Sequence, residues 1–228
     1  MTRFRQFHQR QFFPRQVFTT ALTLAALAAF VGIAPGLIGG ARAQSAIAAL
    51  LAKPMSLPDM ALGDAKAPVT IFEYASMSCP HCAAFEQNVF PMLRSKYIDT
   101  GKVRYVFREF PLDIKAASAS VLARCIANGD AKKFYDVIDA MFKQQEALMD
   151  RTKETMLAIG KDNGLDEKAV NDCVGNQAGL DMISADETFA AQQLKVKATP
   201  TFFINGKVVE GSMSFEEFEA KLKPLLKK

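Results

Sequence analysis

The stretch "PVTIFEYASMSCPHCAAFE", residues 68–86, passes from a β-type segment through a Cys-x-x-Cys pair into a helical one. "PVTIFEY" (68–74) is short and rich in β-branched and aromatic residues, which predicts a strand. Both of its faces are largely apolar, so the strand is expected at the centre of a sheet covered on both sides. After the pair, Phe85, Val89, Leu93 and Tyr97 recur every four residues, the buried stripe of a helix. Pro80 suits the first helical turn, where its missing N–H costs nothing. Pro91 lies inside the pattern and should kink it. Cys79 is therefore expected where a central strand gives way to a helix.

Working outward, "KVRYVFREF" (102–110) reads as a second strand. Residues 113–194 then carry about 80 residues of helical signal and no strand. Ile114, Val121, Leu122 and Cys125 fit one helical face, and Phe134, Ile138, Met141 and Phe142 another. "NGD" (128–130) and "NGLD" (163–166) read as helix stops and starts. Val170 and Cys173 fall on a short helix, and Leu180, Ile183 and Leu194 on a last, longer one. Strands return in "TFFINGKVVEG" (201–211), whose Asn205-Gly206 is a strong hairpin signal. "SFEEFEAKLKPLL" closes the chain as a helix with a Ser214/Glu217 capping box and an apolar face of Phe215, Phe218, Leu222 and Leu225. The result is a small α/β sheet with a helical subdomain inserted after its second strand.

Three chemistries compete for Cys79 and Cys82. Structural zinc needs four Cys or His ligands, usually as two close pairs. Here there is one pair, Cys125 and Cys173 stand far apart, and the histidines are His8 and His81. No metal is expected. A disulfide across a two-residue gap removes little chain entropy, so a purely structural staple contributes little. The redox reading has a mechanism. A sulfur at a helix start faces unpaired N–H groups and the positive end of the helix dipole. His81, protonated or donating a hydrogen bond, adds in the same direction. Such settings lower a cysteine pKa from about 8.5 to roughly 3.5–7.5. Stabilising the thiolate stabilises the reduced state and makes the disulfide oxidising.

The N-terminus bears on the compartment. Residues 1–15 hold four arginines and no acid, residues 16–40 are uncharged and mostly apolar, and "ARAQ" (41–44) follows. These are the parts of a secretory signal peptide, with cleavage expected after Ala43. The apolar stretch is also long enough for an uncleaved anchor, but Pro35, Gly36, Gly39 and Gly40 interrupt its end. Residues 1–43 carry five of the 28 basic residues and none of the 24 acids, so the remainder has 23 against 24. The apparent basicity is a targeting feature and gives no reason to expect nucleic acid as a partner. Export sets an oxidising context in which disulfides persist.

The quoted stretch, "VRYVFREFP", the helical block and "VKATPTFFING" together resemble the DsbA-like family of periplasmic thiol:disulfide oxidoreductases. The resemblance runs from about residue 60 to the C-terminus. It implies a thioredoxin-like fold with an inserted all-helical subdomain: a signal peptide at 1–43, a leader at 44–66, thioredoxin-like parts at 67–112 and 195–228, and the insertion at 113–194. It implies an oxidase donating disulfides to exported cysteine-containing proteins, reoxidised by a DsbB-like membrane oxidase. It implies a periplasmic monomer with no cofactor beyond the Cys79–Cys82 disulfide. An isomerase or reductase of the same fold, or a non-enzymatic substrate-binding module, are the alternatives. About 20 residues precede the domain after cleavage, too few for the dimerisation domain of dimeric isomerases.

The resemblance also assigns residues. Cys79, Pro80, His81 and Cys82 form the CPHC centre, with Cys79 attacked and Cys82 re-forming the pair. The Thr199-Pro200 bond would be cis and lie against that centre, with the Thr199 backbone pairing with an extended substrate segment; the alternative is an ordinary strand-starting proline. Thr199 replaces the Val of the best-known oxidases and is common among isomerases. Glu73 shares a strand face with Val69 and Ile71. It is either a buried acid tuning the cysteines or a salt-bridged carboxylate at the strand end. Glu86 matches a family acid, but its spacing favours a solvated helix-face glutamate. Cys125 and Cys173 are expected as a second disulfide, since some branches carry one in this block and the compartment is oxidising; two buried free thiols are the alternative.

Overall fold

The computed structural model describes residues 44–227, so the signal-peptide expectation lies outside the described residues. Helix α1 (44–51) leads into strand β1 (Met60–Leu62), β2 (Val69–Ala75), α2 (Pro80–Asn88), α3 (Phe90–Leu93) and a π-turn (Arg94–Ile98). Strand β3 (Val103–Glu109) follows, then six helices: α4 (Ile114–Ala127), α5 (Ala131–Lys143), α6 (Gln145–Asp150), α7 (Thr152–Asp162), α8 (Glu167–Val174) and α9 (Gln177–Gln193). The hairpin β4 (Thr201–Ile204) and β5 (Lys207–Glu210) and helix α10 (Phe215–Leu222) close the chain. This is a mixed sheet in the order β1-β3-β2-β4-β5. β2 runs parallel to β3 and antiparallel to β4, so it occupies the centre as its apolar faces predict.

Alternation along β2 sends Val69, Ile71, Glu73 and Ala75 to one side of the sheet and Phe72 and Tyr74 to the other. The first side holds the main core, where Phe85 of α2 meets Phe202 of β4 at a centroid distance of 4.7 Å and Phe218 of α10 at 5.6 Å. Phe90, Tyr105 and Tyr135 extend this aromatic cluster toward the insertion. The other side holds a smaller core of Leu51, Tyr74, Phe110, Ala190, Leu194, Val196 and Phe203. Arg108 links that side together, donating to Asp59, the Tyr74 hydroxyl and the Leu51 carbonyl.

Local signals place the breaks. The α2 pattern divides at Val89, just before Pro91, and the buried stripe of Phe85, Val89, Leu93 and Tyr97 survives the kink. Asn128 ends α4 in the left-handed region at φ 46°, and Asp130 caps α5 by accepting from the Lys133 N–H. Asp166 caps α8 in the same way. Asn205 and Gly206 both take positive φ, 46° and 80°, as a two-residue hairpin of this twist requires. The Ser214–Glu217 capping box is present. No helix among the described residues is long and apolar enough to cross a membrane.

Three features differ from the sequence expectations. The leader at 44–66 contains an edge strand, with Met60 opposite Phe107 and Leu62 opposite Tyr105. Its three residues are too few for an alternation pattern, and Tyr135 anchors it by donating to the Met60 carbonyl at 3.1 Å. The leader helix also supplies Leu51 to the second core. In α4, Ile114 (69 % exposed) and Cys125 face outward. The buried face keeps Val121 and Leu122 as expected and adds Ala116, Ala119, Ala123 and Ile126.

A disulfide joins Cys125 of α4 to Cys173 of α8, with Cα atoms 5.9 Å apart and a sequence separation of 48. In the chain-entropy treatment such a loop contributes roughly 4 kcal/mol. Cys125→Ala/Cys173→Ala should lower the unfolding free energy by about that amount in equilibrium denaturation. An unchanged midpoint would mean that this crosslink constrains nothing in the unfolded chain.

Candidate active site

The central strand delivers the chain to Cys79, which caps α2 in an extended conformation (φ −84°, ψ 117°), and Pro80 opens the helix. The Cys79 carbonyl accepts from the N–H groups of Cys82 and Ala83, both at 3.1 Å, and its own N–H donates to the Ser76 carbonyl. Ser76 pins the approach. Its Oγ accepts from the backbone N–H of Leu112 and of Ser78, tying this turn to the end of β3. Cys82 is fully buried, Cys79 is 4 % exposed, and the His81 ring lies in solvent. The Thr199-Pro200 bond is cis, and the Cys79 thiol donates to the Thr199 carbonyl at 3.2 Å. The structure thus brings Cys79, Cys82, Thr199 and Pro200 together. The Cys125–Cys173 disulfide lies apart, in the insertion. Among the described residues no group of three or more His, Cys, Asp or Glu side chains is arranged to hold a metal.

The two cysteines have opposite electrostatics. The Cys79 thiol is lowered from 9.0 to about 5, chiefly by a hydrogen bond from Cys82, against the effect of burial. The backbone N–H groups of Cys82 and His81 add to the lowering. His81 therefore acts here through its backbone at the helix start. Cys82 is pushed far up, first by burial, then by donating to Cys79, then by the charge of Glu73. One sulfur is poised as a thiolate and its neighbour is held as a thiol.

Glu73 lies under the pair, wholly buried between β3 and β4, opposite Phe107 and Phe202. No cation meets it. Its Oε2 accepts from the Tyr105 hydroxyl at 2.5 Å, and its Oε1 has no hydrogen-bond partner. Burial pushes Glu73 up to about 8; the Tyr105 hydrogen bond opposes this and the charge on Cys79 reinforces it. Glu86 corrects the expectation of a solvated side chain, being 2 % exposed with Oε1 unpartnered. Burial, then the charge of Glu73, raises it well above the usual carboxylate range. The spacing Cys82, Phe85, Glu86, Val89 is itself a helical stripe and places Glu86 on the buried face. Tyr105 had no such signal, because its position beside Glu73 depends on the β2–β3 register.

A helix-start dithiol beside a cis-proline loop, on a central β-strand, defines a thioredoxin-fold protein built for thiol–disulfide chemistry. A family model described as Thioredoxin matches residues 56–224. A Rickettsia conorii protein, provisionally named a protein-disulfide oxidoreductase, is 36 % identical over 160 residues, 69 % of this chain and 57 % of that protein. The chain thus spans little more than half the length of the curated relatives it matches first. The crystal structure of Wolbachia pipientis alpha-DsbA1 superposes with a TM-score of 0.70 at 34 % identity, covering 78 % of this chain and 94 % of that one. A protein-disulfide isomerase from Novosphingobium aromaticivorans shares the fold, with a TM-score of 0.63 at 22 % identity, covering 75 % of this chain and 100 % of that one. The chain belongs to the DsbA-like thiol:disulfide oxidoreductases of the thioredoxin family.

The raised Glu73 has a consequence for stability. Between its ordinary 4.5 and about 8, the folded chain holds a proton that the unfolded chain has released. Its contribution is fully present below the unfolded value and is lost as pH rises through about 8. Cys79 works in the opposite sense in the dithiol form: its contribution is present above 9.0 and lost as pH falls through about 5. Oxidation removes the Cys79 titration. In denaturant titrations of the oxidised protein, where burial still raises Glu73 without the Cys79 charge, stability should therefore fall as pH rises above 4.5, and Glu73→Gln should flatten that fall, with Glu86 leaving a remainder of the same sign. Equal slopes in the two proteins would contradict a buried neutral Glu73.

Proposed function

We propose that this protein is an exported dithiol oxidase that donates its Cys79–Cys82 disulfide to cysteine-containing proteins. The observation that carries this reading is the contrast between the two sulfurs, Cys79 lowered to about 5 at the helix start and Cys82 buried and raised. A substrate thiolate attacks the Cys79 sulfur and the Cys79–Cys82 bond breaks. Cys82 leaves with the electron pair and takes a proton, which the buried acid Glu73 is placed to supply. A second substrate thiolate then attacks the substrate sulfur of the mixed disulfide. Cys79 leaves as the stabilised thiolate, and the substrate departs with a new disulfide. Two electrons now reside on the dithiol, and a DsbB-like membrane oxidase would remove them.

The remaining residues have supporting roles in this scheme. The Thr199 backbone beside Cys79 would pair with an extended substrate segment. Pro80 starts the helix without wasting a donor, and His81 contributes its N–H and an exposed ring at the reacting face. Residues 1–43 would direct the chain to the periplasm, where the protein would act as a monomer. No cofactor beyond the redox pair enters the scheme. A second direction, isomerase or reductase, is favoured by one feature, the Thr at 199 before the cis-proline.

Cys82→Ser should accumulate mixed disulfides between Cys79 and exported proteins, visible on non-reducing gels and lost on reduction. Titration of the wild-type pair against glutathione separates the directions. A potential more positive than about −180 mV supports the oxidase, whereas one near −270 mV assigns a reductase. Absence of trapped species would reduce the pair to a structural feature.

A further inference from the structure

We propose that Gln145, on the helical insertion, is a positioning residue for Cys79: its side-chain amide holds the two carbonyls that set the turn from which α2 starts. The inference rests on the reading of Cys79 as the reacting sulfur. Gln145 is the first residue of α6, immediately after the α5–α6 joint, and is partly buried. Its Nε2 donates to the Met77 carbonyl at 2.8 Å and to the Cys79 carbonyl at 2.9 Å. A primary amide nitrogen has two N–H groups, and here both are used on one turn. Both acceptors are carbonyls, so the amide must present nitrogen rather than oxygen to them.

The geometry gives this contact a specific role. The Cys79 carbonyl already receives the first two helical N–H groups, from Cys82 and Ala83. Its direction therefore fixes how the start of α2 is oriented relative to the Cys79 sulfur. Gln145 fixes that carbonyl from outside the helix and the preceding Met77 carbonyl with it, so the cap residue is held on both sides. The N–H groups of His81 and Cys82 that act on the sulfur keep their aim only while that cap is rigid. A reciprocal contact makes a useful comparison. Gln87 of α2 donates to the Phe142 carbonyl at the end of α5, at 3.1 Å. It ties the same two parts of the fold together without touching the turn at Cys79.

The difference between the two glutamines supplies the test. Gln145→Met keeps the length and bulk of the side chain and removes both donors; Gln87→Met does the same at the control position. Thiolate absorbance as a function of pH reads the Cys79 pKa, and equilibration with glutathione reads the stability of the disulfide. Gln145→Met should raise the Cys79 pKa by about half a unit to one unit and make the pair correspondingly less oxidising, a shift of about three- to tenfold in the glutathione equilibrium. Gln87→Met should lower the thermal midpoint without moving either reading. Gln145→Asn, too short to span both carbonyls, should shift the pKa in the same direction and serves if the Met variant does not fold. Folded Gln145 variants with wild-type pKa and equilibrium overturn the positioning role and leave the proposed function standing. A wild-type Cys79 that titrates as an ordinary cysteine overturns both.

Discussion

A thiolate at the start of a short helix is stable only while the helix start stays where it is. Helix α2 has nine residues and little helical stability of its own. It is held by what it buries: Phe85 in the aromatic cluster with Phe202 and Phe218, and Cys82 beneath the turn. The sheet supplies the other half of the constraint. β2 lies between β3 and β4, so the residue where it ends is set by hydrogen bonds on both sides. The Ser76 hydroxyl and the Gln145 amide then hold the turn itself. A charge that would be costly in a mobile loop is stabilised by the N–H groups of His81 and Cys82, which need not reorganise.

Beneath that charge the fold keeps two carboxyl groups out of water, Glu73 with no ion pair among the described residues and Glu86 with only a weak opposing pull from Arg94. Glu73 and Glu86 are each buried, and each leaves one oxygen unpartnered. Such groups avoid the cost of burial by staying protonated. The negative form of Glu86 is further opposed by Glu73, and that of Glu73 by the Cys79 thiolate. The site therefore links proton and electron: when Cys79 becomes a thiolate, Glu73 holds its proton more firmly, and when the disulfide forms that reinforcement disappears. The opposite pH slopes of the dithiol protein, one from Cys79 and one from Glu73, arise from this single coupling.

Much of this was legible in the sequence, and what was not has physical reasons. The strand before Cys79, the proline-led helix, the inserted helices and the Asn205-Gly206 hairpin all rest on local patterns, and local patterns survive folding. Glu86 was misplaced because one polar residue was judged singly, although Cys82, Phe85 and Val89 define the face that buries it. Ile114 was misplaced for the converse reason: it stands at the first turn of α4 in step with the buried Val121 and Leu122 and so imitates a core position. Strand β1 is too short to show a period, and it exists because β3 and Tyr135 offer it partners. Tyr105 and Gln145 come into the site through β-register and helix packing, which no local pattern encodes.

The energetic claim underlying all of this is that folding stabilises the dithiol state more than the disulfide. A bridge across two residues constrains the unfolded chain only slightly, so its effect on stability reports mainly on the folded site. The direct measurement is the unfolding free energy of the reduced and the oxidised protein at pH 7, by denaturant titration with the Cys125–Cys173 bond intact in both. A stabilised Cys79 thiolate requires the reduced protein to be the more stable of the two. An oxidised protein equal to or more stable than the reduced one would contradict it.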